Sequence, residues 1–439
     1  IASRTSADNI TWTITIGATG SGTIIPSIAA GAVQDPAGNN NTLSTSTDNS
    51  VTLDITPPSV AINQSGGQSD PTNTSPFSFT AVFSEPINPA SFSDADITLG
   101  GTATGQAVVS RTSADNITWT ITISATGAGT IQPSIAASAV QDVAGNNSAA
   151  STSTDNTVTY DLTGPAVTIN QDGAQADPTN SSPVTFTAVF NEAINPASFT
   201  DGDITLGGTA TGLAVTSRTS ADNITWTITV SVTGEGTIIP SIAAATVTDA
   251  AGNDNTASSS TDNSVTYDIT APTVTINQTG GQNDPTNVSP VSFTAVFSEA
   301  IDPASFANGD ITIGGTATGT SVASRTSADN ITWTITIAAT GTGTIIPTIA
   351  ASAVQDPAGN NNTLSTGTDN SITYDITGPT VTINQSGGQN DPTNTSPFSF
   401  TAVFSEPINP ASFADADITL GGTAAGQAVV SRTSADNIT

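Results

Sequence analysis

The chain has 439 residues, with 36 acidic side chains against 5 basic ones and a formal charge of −31, and it contains no Lys, His, Cys or Met. Those absences exclude disulfide frameworks, thiolate nucleophiles and Cys- or His-based metal sites, together with Schiff-base lysines, P-loops and Lys–Asn isopeptide staples. Five Arg residues cannot neutralise a row of phosphates, so nucleic acid and anionic membrane surfaces are poor partners and cations are the natural ones.

Read in chain order, the segment SRTSADNIT opens at Ser3 and returns at Ser110, Ser217, Ser324 and Ser431, a step of 107 residues each time. The Arg residues are therefore one position seen five times, and Trp12, Trp119, Trp226 and Trp333 keep the same step. The unit boundary falls at the Pro-containing segment after a Tyr-Asp strand end, as in TYDLTGP. Residues 1–56 are then the C-terminal half of one repeat, 57–163, 164–270 and 271–377 are complete repeats, and 378–439 are the N-terminal part of another. The chain starts and stops inside a repeat with no capping segment, as expected of a window within a longer array. No run of about 18 apolar residues is present and Ile1 does not open a signal peptide.

Within 57–163 the first strands are VAI at Val60–Ile62 and FSFTAVF, which puts Phe77, Phe79, Ala81 and Phe83 on one face. INPASFSDAD holds one short turn. DITL ending at Leu99 and AVVSRT follow, and then ITWTITI puts Ile117, Trp119, Ile121 and Ile123 on one face and threonines on the other. TIQPSI and TVTYDL, with Val158, Tyr160 and Leu162 alternating, complete the unit. Seven strands in one period, separated by Gly, Asn, Asp and Pro clusters, predict an all-β tandem array of antiparallel β-sandwiches. Trp119 sits on the Ile-bearing face and is expected in the core, not stacked on a sugar. Arg111 is expected to pair with a surface acid. Asp70, Asp177, Asp284 and Asp391, each before Pro, are expected to open turns.

Simple up-and-down alternation brings the linker residue Asp54 together with Glu85, Asp94, Asp96 and Asp142 at the pole where one unit meets the next. Clustered carboxylates repel unless they spread into water or share a cation. Calcium takes six to eight hard oxygens, whereas magnesium holds its waters and demands a stricter octahedron. Two readings stand side by side: calcium sites, or solvated acids that shape turns. Comparison among repeats weights the positions. Glu85, Glu192 and Glu299 share one position, Asp142, Asp249 and Asp356 share the DxAGN turn, and Asp54, Asp161 and Asp268 share the linker. Asp96, Asp203 and Asp310 are the better half of the DxD pair, because Asn308 replaces the first acid in the third repeat. Paired carboxylates also serve glycosidases, but here they lie in solvent-rich turns and are copied into every unit, so no enzyme activity is expected.

The ordered set FSEPINPASFSDADITLGG, ITWTITI, VQDVAGN and TYDLTGP, present in every unit, resembles the bacterial immunoglobulin-like repeats of giant surface adhesins and other large secreted proteins. The resemblance implies a tandem array of immunoglobulin-like sandwiches forming a stalk outside the bacterial cell, often with calcium at the unit junctions. It carries Asp54, Glu85, Asp96 and Asp142 over as candidate ligands, although the cadherin linker signature is absent. On this reading the chain is a section of an extracellular fibre or adhesin stalk. Its partners are neighbouring repeats and other copies of the fibre, with no membrane insertion in this segment and any host or surface ligand bound by modules outside it. A self-assembling filament or sheath is the alternative, and an array of carbohydrate-binding modules a third.

Overall fold

The computed structural model describes residues 1–439 as all-β, built from many small antiparallel sheets and short 3-10 turns. The chain divides into two compact units, one of residues 1–177 with 181–267 and the other of 178–180 with 268–439.

The first unit opens with two antiparallel pairs, β1 (Ser3–Thr5) with β2 (Thr13–Thr15) and β3 (Gly22–Ile24) with β4 (Val51–Leu53). Next come β5 (Val60–Gln64), β6 (Phe77–Phe83), β7 (Ile97–Gly100), β8 (Ala107–Ser113), β9 (Thr118–Ser124), β10 (Gly129–Ile135) and β11 (Val158–Tyr160). They form a four-stranded sheet in the order β5-β6-β9-β8 and a three-stranded sheet in the order β11-β10-β7. Strands β12 to β18, from Val167–Gln171 to Val265–Tyr267, repeat both sheets.

Alternation of apolar and polar residues explains the layers, because a period of two turns one face inward. Phe77, Phe79, Ala81 and Phe83 of β6 are buried, and the register sets Phe79 opposite Ile121 and Ala81 opposite Trp119 on β9. Ile97, Ile131, Ile135, Val158 and Tyr160 from the other sheet join the same core, so the two sheets close on one hydrophobic interior. A fully buried Phe or Ile contributes about 1.5–3 kcal/mol of transfer free energy, and these side chains carry the stability of the repeat. Phe92 meets Trp119 edge to face at 5.1 Å, and Arg111 lies 5.3 Å from the Phe92 ring centre while its Nε donates to Asp94 at 2.8 Å.

The turns follow from their residues. In SADN, Asn116 takes the left-handed conformation at φ 58° while Asp115 Oδ1 accepts the N–H groups of Ile117 and Thr118, which starts β9. Gly101, at φ +97°, lies so close to the Thr130 carbonyl that a Cβ would overlap it. The INPASFSDAD segment holds two 3-10 turns, Pro89–Ser91 and Asp94–Asp96, where one was expected.

The second unit contains β19 (Val274–Gln278), β20 (Val291–Phe297), β21 (Ile311–Gly315), β22 (Ser321–Ser327), β23 (Thr332–Ala338), β24 (Gly343–Ile349) and β25 (Ile372–Tyr374). They enclose a third core, with the sheet orders β19-β20-β23-β22 and β21-β24-β25. It ends with β26 (Val381–Gln385) paired to β27 (Phe400–Phe404).

Candidate metal centre

Three acid triads recur along the chain: Asp54, Glu85 and Asp142; Asp161, Glu192 and Asp249; and Asp268, Glu299 and Asp356. In each, one carboxylate oxygen per residue lies within 4.8 Å of the others. The first acid comes from the segment between repeats, the second from the end of the FSFTAVF-type strand, and the third from the DxAGN turn.

Backbone pairing places the second acid beside the third. Ile87 bridges Asp142 in antiparallel fashion, Asn88 N donates to Gln141 O at 2.9 Å, and Glu85 lies two residues upstream. The turn is closed on itself. Asp142 Oδ1 accepts Asn146 N and its Oδ2 accepts Asn146 Nδ2, both at 2.8 Å, and the residue is only 2 % exposed. The same Asn146 Nδ2 also donates to the linker carbonyl of Asp54 at 3.1 Å, which brings the first acid to the other two. Asn253 repeats these bonds with Asp249 and Asp161 O, and Asn360 with Asp356 and Asp268 O.

The electrostatics of the triads ask for a positive charge. Two unit charges 4 Å apart interact by about 1 kcal/mol in bulk water and about 4 kcal/mol near a protein surface. Burial, followed by the charges of Asp54 and Asp142, pushes the Glu85 carboxyl above its ordinary range, and Asp54 adds a hydrogen bond in the same direction. Glu192 is raised likewise by burial, Asp161 and Asp249. Its Oε1 is closed to solvent and accepts no hydrogen bond. Burial also pushes on Asp142, but hydrogen bonds from Asn146, Gly145 and Ala144 outweigh it and hold that carboxyl below its ordinary range. Lys and His are missing from the sequence, and Arg111 and Arg218 are engaged with Asp94 and Asp201.

The donor set and its spacing fit a hard cation. Oxygens bound to calcium at 2.3–2.6 Å stand at most about 5.2 Å apart, so three oxygens within 4.8 Å of one another can share one ion. Magnesium, at about 2.0–2.1 Å, requires a tighter set.

Asp96, Asp203 and Asp310 are not among the triads. Asp96 Oδ2 accepts both the N–H and the hydroxyl of Ser93 at 2.6 Å, Asp203 does the same for Thr200, and Asp310 accepts Ala307 N. They cap their own 3-10 turns. Asp70 Oδ1 accepts Thr159 N at 2.8 Å, with Asp177 and Asp284 acting alike on Thr266 and Thr373. Sequence reasoning left out the three turn asparagines, although each closes the DxAGN motif.

No protein-family model matches the chain, and comparison with curated proteins finds no similar sequence. Among solved structures, 87 % of the chain aligns with 68 % of a six-domain fragment of the surface layer protein SbsC, at 14 % identity and a TM-score of 0.18. A second structure of the S-layer protein SbsC aligns over the same shares at 15 % identity and a TM-score of 0.18. No helix is long and apolar enough to cross a membrane.

Proposed function

We propose that this chain is a structural segment of an extracellular fibre or stalk on a bacterial surface, built from immunoglobulin-like repeats of 107 residues and stiffened by calcium at the repeat junctions. The immunoglobulin-like reading is supported by strand order. Lettered A to G from β5 to β11, the sheets read A-B-E-D and C-F-G, the arrangement of a constant-type domain. Here the buried Trp lies on strand E, not strand C, and no disulfide joins the sheets. The repeats 57–163, 164–270 and 271–377 are taken as its domains. The role is mechanical, not catalytic.

The observation that carries the calcium reading is the triad itself. In all three copies one acid belongs to the connecting segment and two to the repeat that follows, so an ion there ties the connection to the domain. Glu192 Oε1, buried without a partner, is an acceptor such an ion would satisfy. An extracellular site with a dissociation constant of about 0.1–1 mM would add about 0.4–1.4 kcal/mol per junction at 1 mM calcium. Calorimetric titration of the full chain tests this: about three calcium ions should bind, and chelation should lower the melting temperature and broaden the small-angle scattering profile. Failure to bind, with no change in melting, leaves the acids as turn and linker formers without an ion.

A self-assembling filament remains the second reading. Strands β8, β15 (Ala214–Thr219) and β22 each pair on one side only, leaving a row of free backbone groups. The bulge at Val109, which is exposed, disrupts that edge and argues for a single-file array. Sedimentation velocity at rising concentration separates the two. An array of sugar-binding modules is not proposed, because Trp119, Trp226 and Trp333 are buried.

A further inference from the structure

The DxAGN turns are held from a second side, by a loop that sequence reasoning treated only as a turn. In the first unit, Asn73 of the DPTN loop donates its N–H to Ala251 O at 3.1 Å, reaching from one repeat to the acid turn of the next. Its side-chain amide stands over Gly252, where an added Cβ would lie 3.5 Å from Nδ2. The same loop holds the linker: Thr72 N donates to Thr159 O and Asp161 N donates to Thr72 O, both at 3.0 Å. Three pieces of chain are thus clasped together, namely the DPTN loop, the linker that carries Asp161 and the turn that carries Asp249. Asn253 Nδ2 joins the last two. Within the second unit the pattern recurs: Asn180 N donates to Ala358 O at 3.2 Å, Asn180 Nδ2 donates to Asn360 Oδ1 at 3.2 Å, and Asp268 N donates to Thr179 O at 3.0 Å.

The turn at Asp142 supplies an internal control. Residues 1–56 contain no DPTN segment, and an added Cβ on Gly145 would meet nothing within 4 Å. Even so, Asp54, Glu85 and Asp142 converge within the same 4.8 Å limit as the other triads, and Asn146 makes the same bonds. The loop therefore does not build the acid triad. What it adds is a grip by the preceding repeat on the same five residues that carry the third acid.

From this separation we infer that the DPTN asparagine Asn73 is a positioning residue that converts cation occupancy of the Asp161, Glu192 and Asp249 triad into a fixed orientation between repeats 57–163 and 164–270. The inference rests on the calcium reading above. An ion holding Asp161 to Asp249 fixes the linker against the turn, and Asn73 extends that fixation to the body of the repeat before it. Ion binding and joint stiffness are then separable properties. Removing the latch leaves the ions bound and the joint loose.

The chain has no Cys, so paired spin labels can be introduced at the exposed strand residues Thr120 and Thr227 of the 439-residue chain by Thr120→Cys and Thr227→Cys. With the latch intact, calcium narrows the distance distribution relative to chelator. Asn73→Pro deletes the N–H that bonds Ala251 O and is expected to abolish the narrowing. Asn73→Ala keeps the N–H but removes the contact over Gly252, and is expected to lose part of the narrowing, so the test holds even where the proline variant fails to fold. Calorimetry on the same variants should show the number of calcium ions unchanged. If calcium binds and narrows both variants as fully as the parent, the latch is overturned while the metal site stands. If the parent itself neither binds calcium nor narrows, the metal site fails and the latch with it.

Discussion

Residues 10–16 and 117–123 carry the same seven residues, ITWTITI, in opposite surroundings: Trp12 is 50 % exposed and Trp119 is 5 % exposed. In the complete repeat, β9 lies between β6 and β8, and Trp119 faces Ala81 across the sheet and the edge of Phe92 across the core. In residues 1–56, β2 has only β1 beside it. The alternation writes which residues share a face, and that is a local property. Whether the face is buried depends on a strand about 40 residues earlier in the repeat, as the pairing of Phe79 with Ile121 shows. Non-local pairing of this kind makes the repeat, not the strand, the unit of stability.

The largest effect should come from breaking the buried member of that pair. Trp119→Ala empties a core site and should cost about 3–5 kcal/mol, read from the urea midpoint, while Trp12→Ala in the same sequence context should leave the midpoint unchanged. Acrylamide quenching sharpens the contrast without a cavity. One Trp in four should be readily quenched, with the three buried ones protected until unfolding. Equal costs for the two substitutions would mean that residues 1–56 have found a partner face in solution.

The same contrast applies to the acid turns. Asp35 and Asp249 both accept the N–H and side-chain amide of the asparagine four residues on, yet only Asp249 is buried and belongs to a triad. Asp249→Ala removes the carboxylate that accepts two hydrogen bonds from Asn253, leaving its backbone N–H without that acceptor, and should cost about 1–3 kcal/mol. It should also lower the calcium count by one, whereas Asp35→Ala should leave that count alone. Calorimetry and melting with and without calcium check both statements.

The pH dependence has two signs. The carboxyls of Asp115, Asp222 and Asp329 are held below their ordinary range by backbone N–H groups of their own SADN turns. Their contribution is therefore present above the unfolded value of about 3.9 and lost as pH falls through the folded one. Glu85 and Glu192 are raised, first by burial and then by the neighbouring acids. Their contribution is present below the unfolded value of about 4.3 and lost as pH rises through the folded one. In chelator the melting temperature should peak in the mildly acid range and decline toward neutrality. Calcium should remove that decline, because the ion favours the charged form. A chelated chain whose melting temperature keeps rising to neutral pH would contradict the assignment of the triads.

How far the sequence could be read follows the same division between local and non-local. The 107-residue step, the seven strands, the inward Phe and Trp positions and the Arg–Asp pair are written in local patterns. Convergence of linker acid, strand-end acid and turn acid was legible because strand direction sends all three to one pole. Asp96 looked like a partner for Glu85 on that basis. Its real occupation was also in the sequence, since Ser93-x-x-Asp96 is a capping-box spacing and the side chain turns back on Ser93. The grip of Asn73 on Ala251 was not legible, because it depends on how one repeat meets the next, and no periodicity within a repeat encodes that.

The smallest effect concerns the exposed ion pair, where the repeats differ by one natural substitution. Arg111 Nε meets Asp94 Oδ1 at 2.8 Å, and Arg325 Nε meets Asn308 Oδ1 at 3.2 Å. The guanidinium keeps its place over the aromatic ring in both, 5.3 Å from Phe92 and 5.1 Å from Phe306. Stacking and stem packing therefore hold the Arg with or without a charged partner. The carboxylate of Asp94 is 62 % exposed, so the pair belongs to the class worth about 0–1 kcal/mol and screened by salt. Asn308→Asp should shift stability by no more than about 0.5 kcal/mol at low ionic strength, and the gain should vanish at about 1 M salt, where the screening length falls to about 3 Å. A larger gain that survives salt would show that the ion pair, and not the ring beneath it, fixes the Arg.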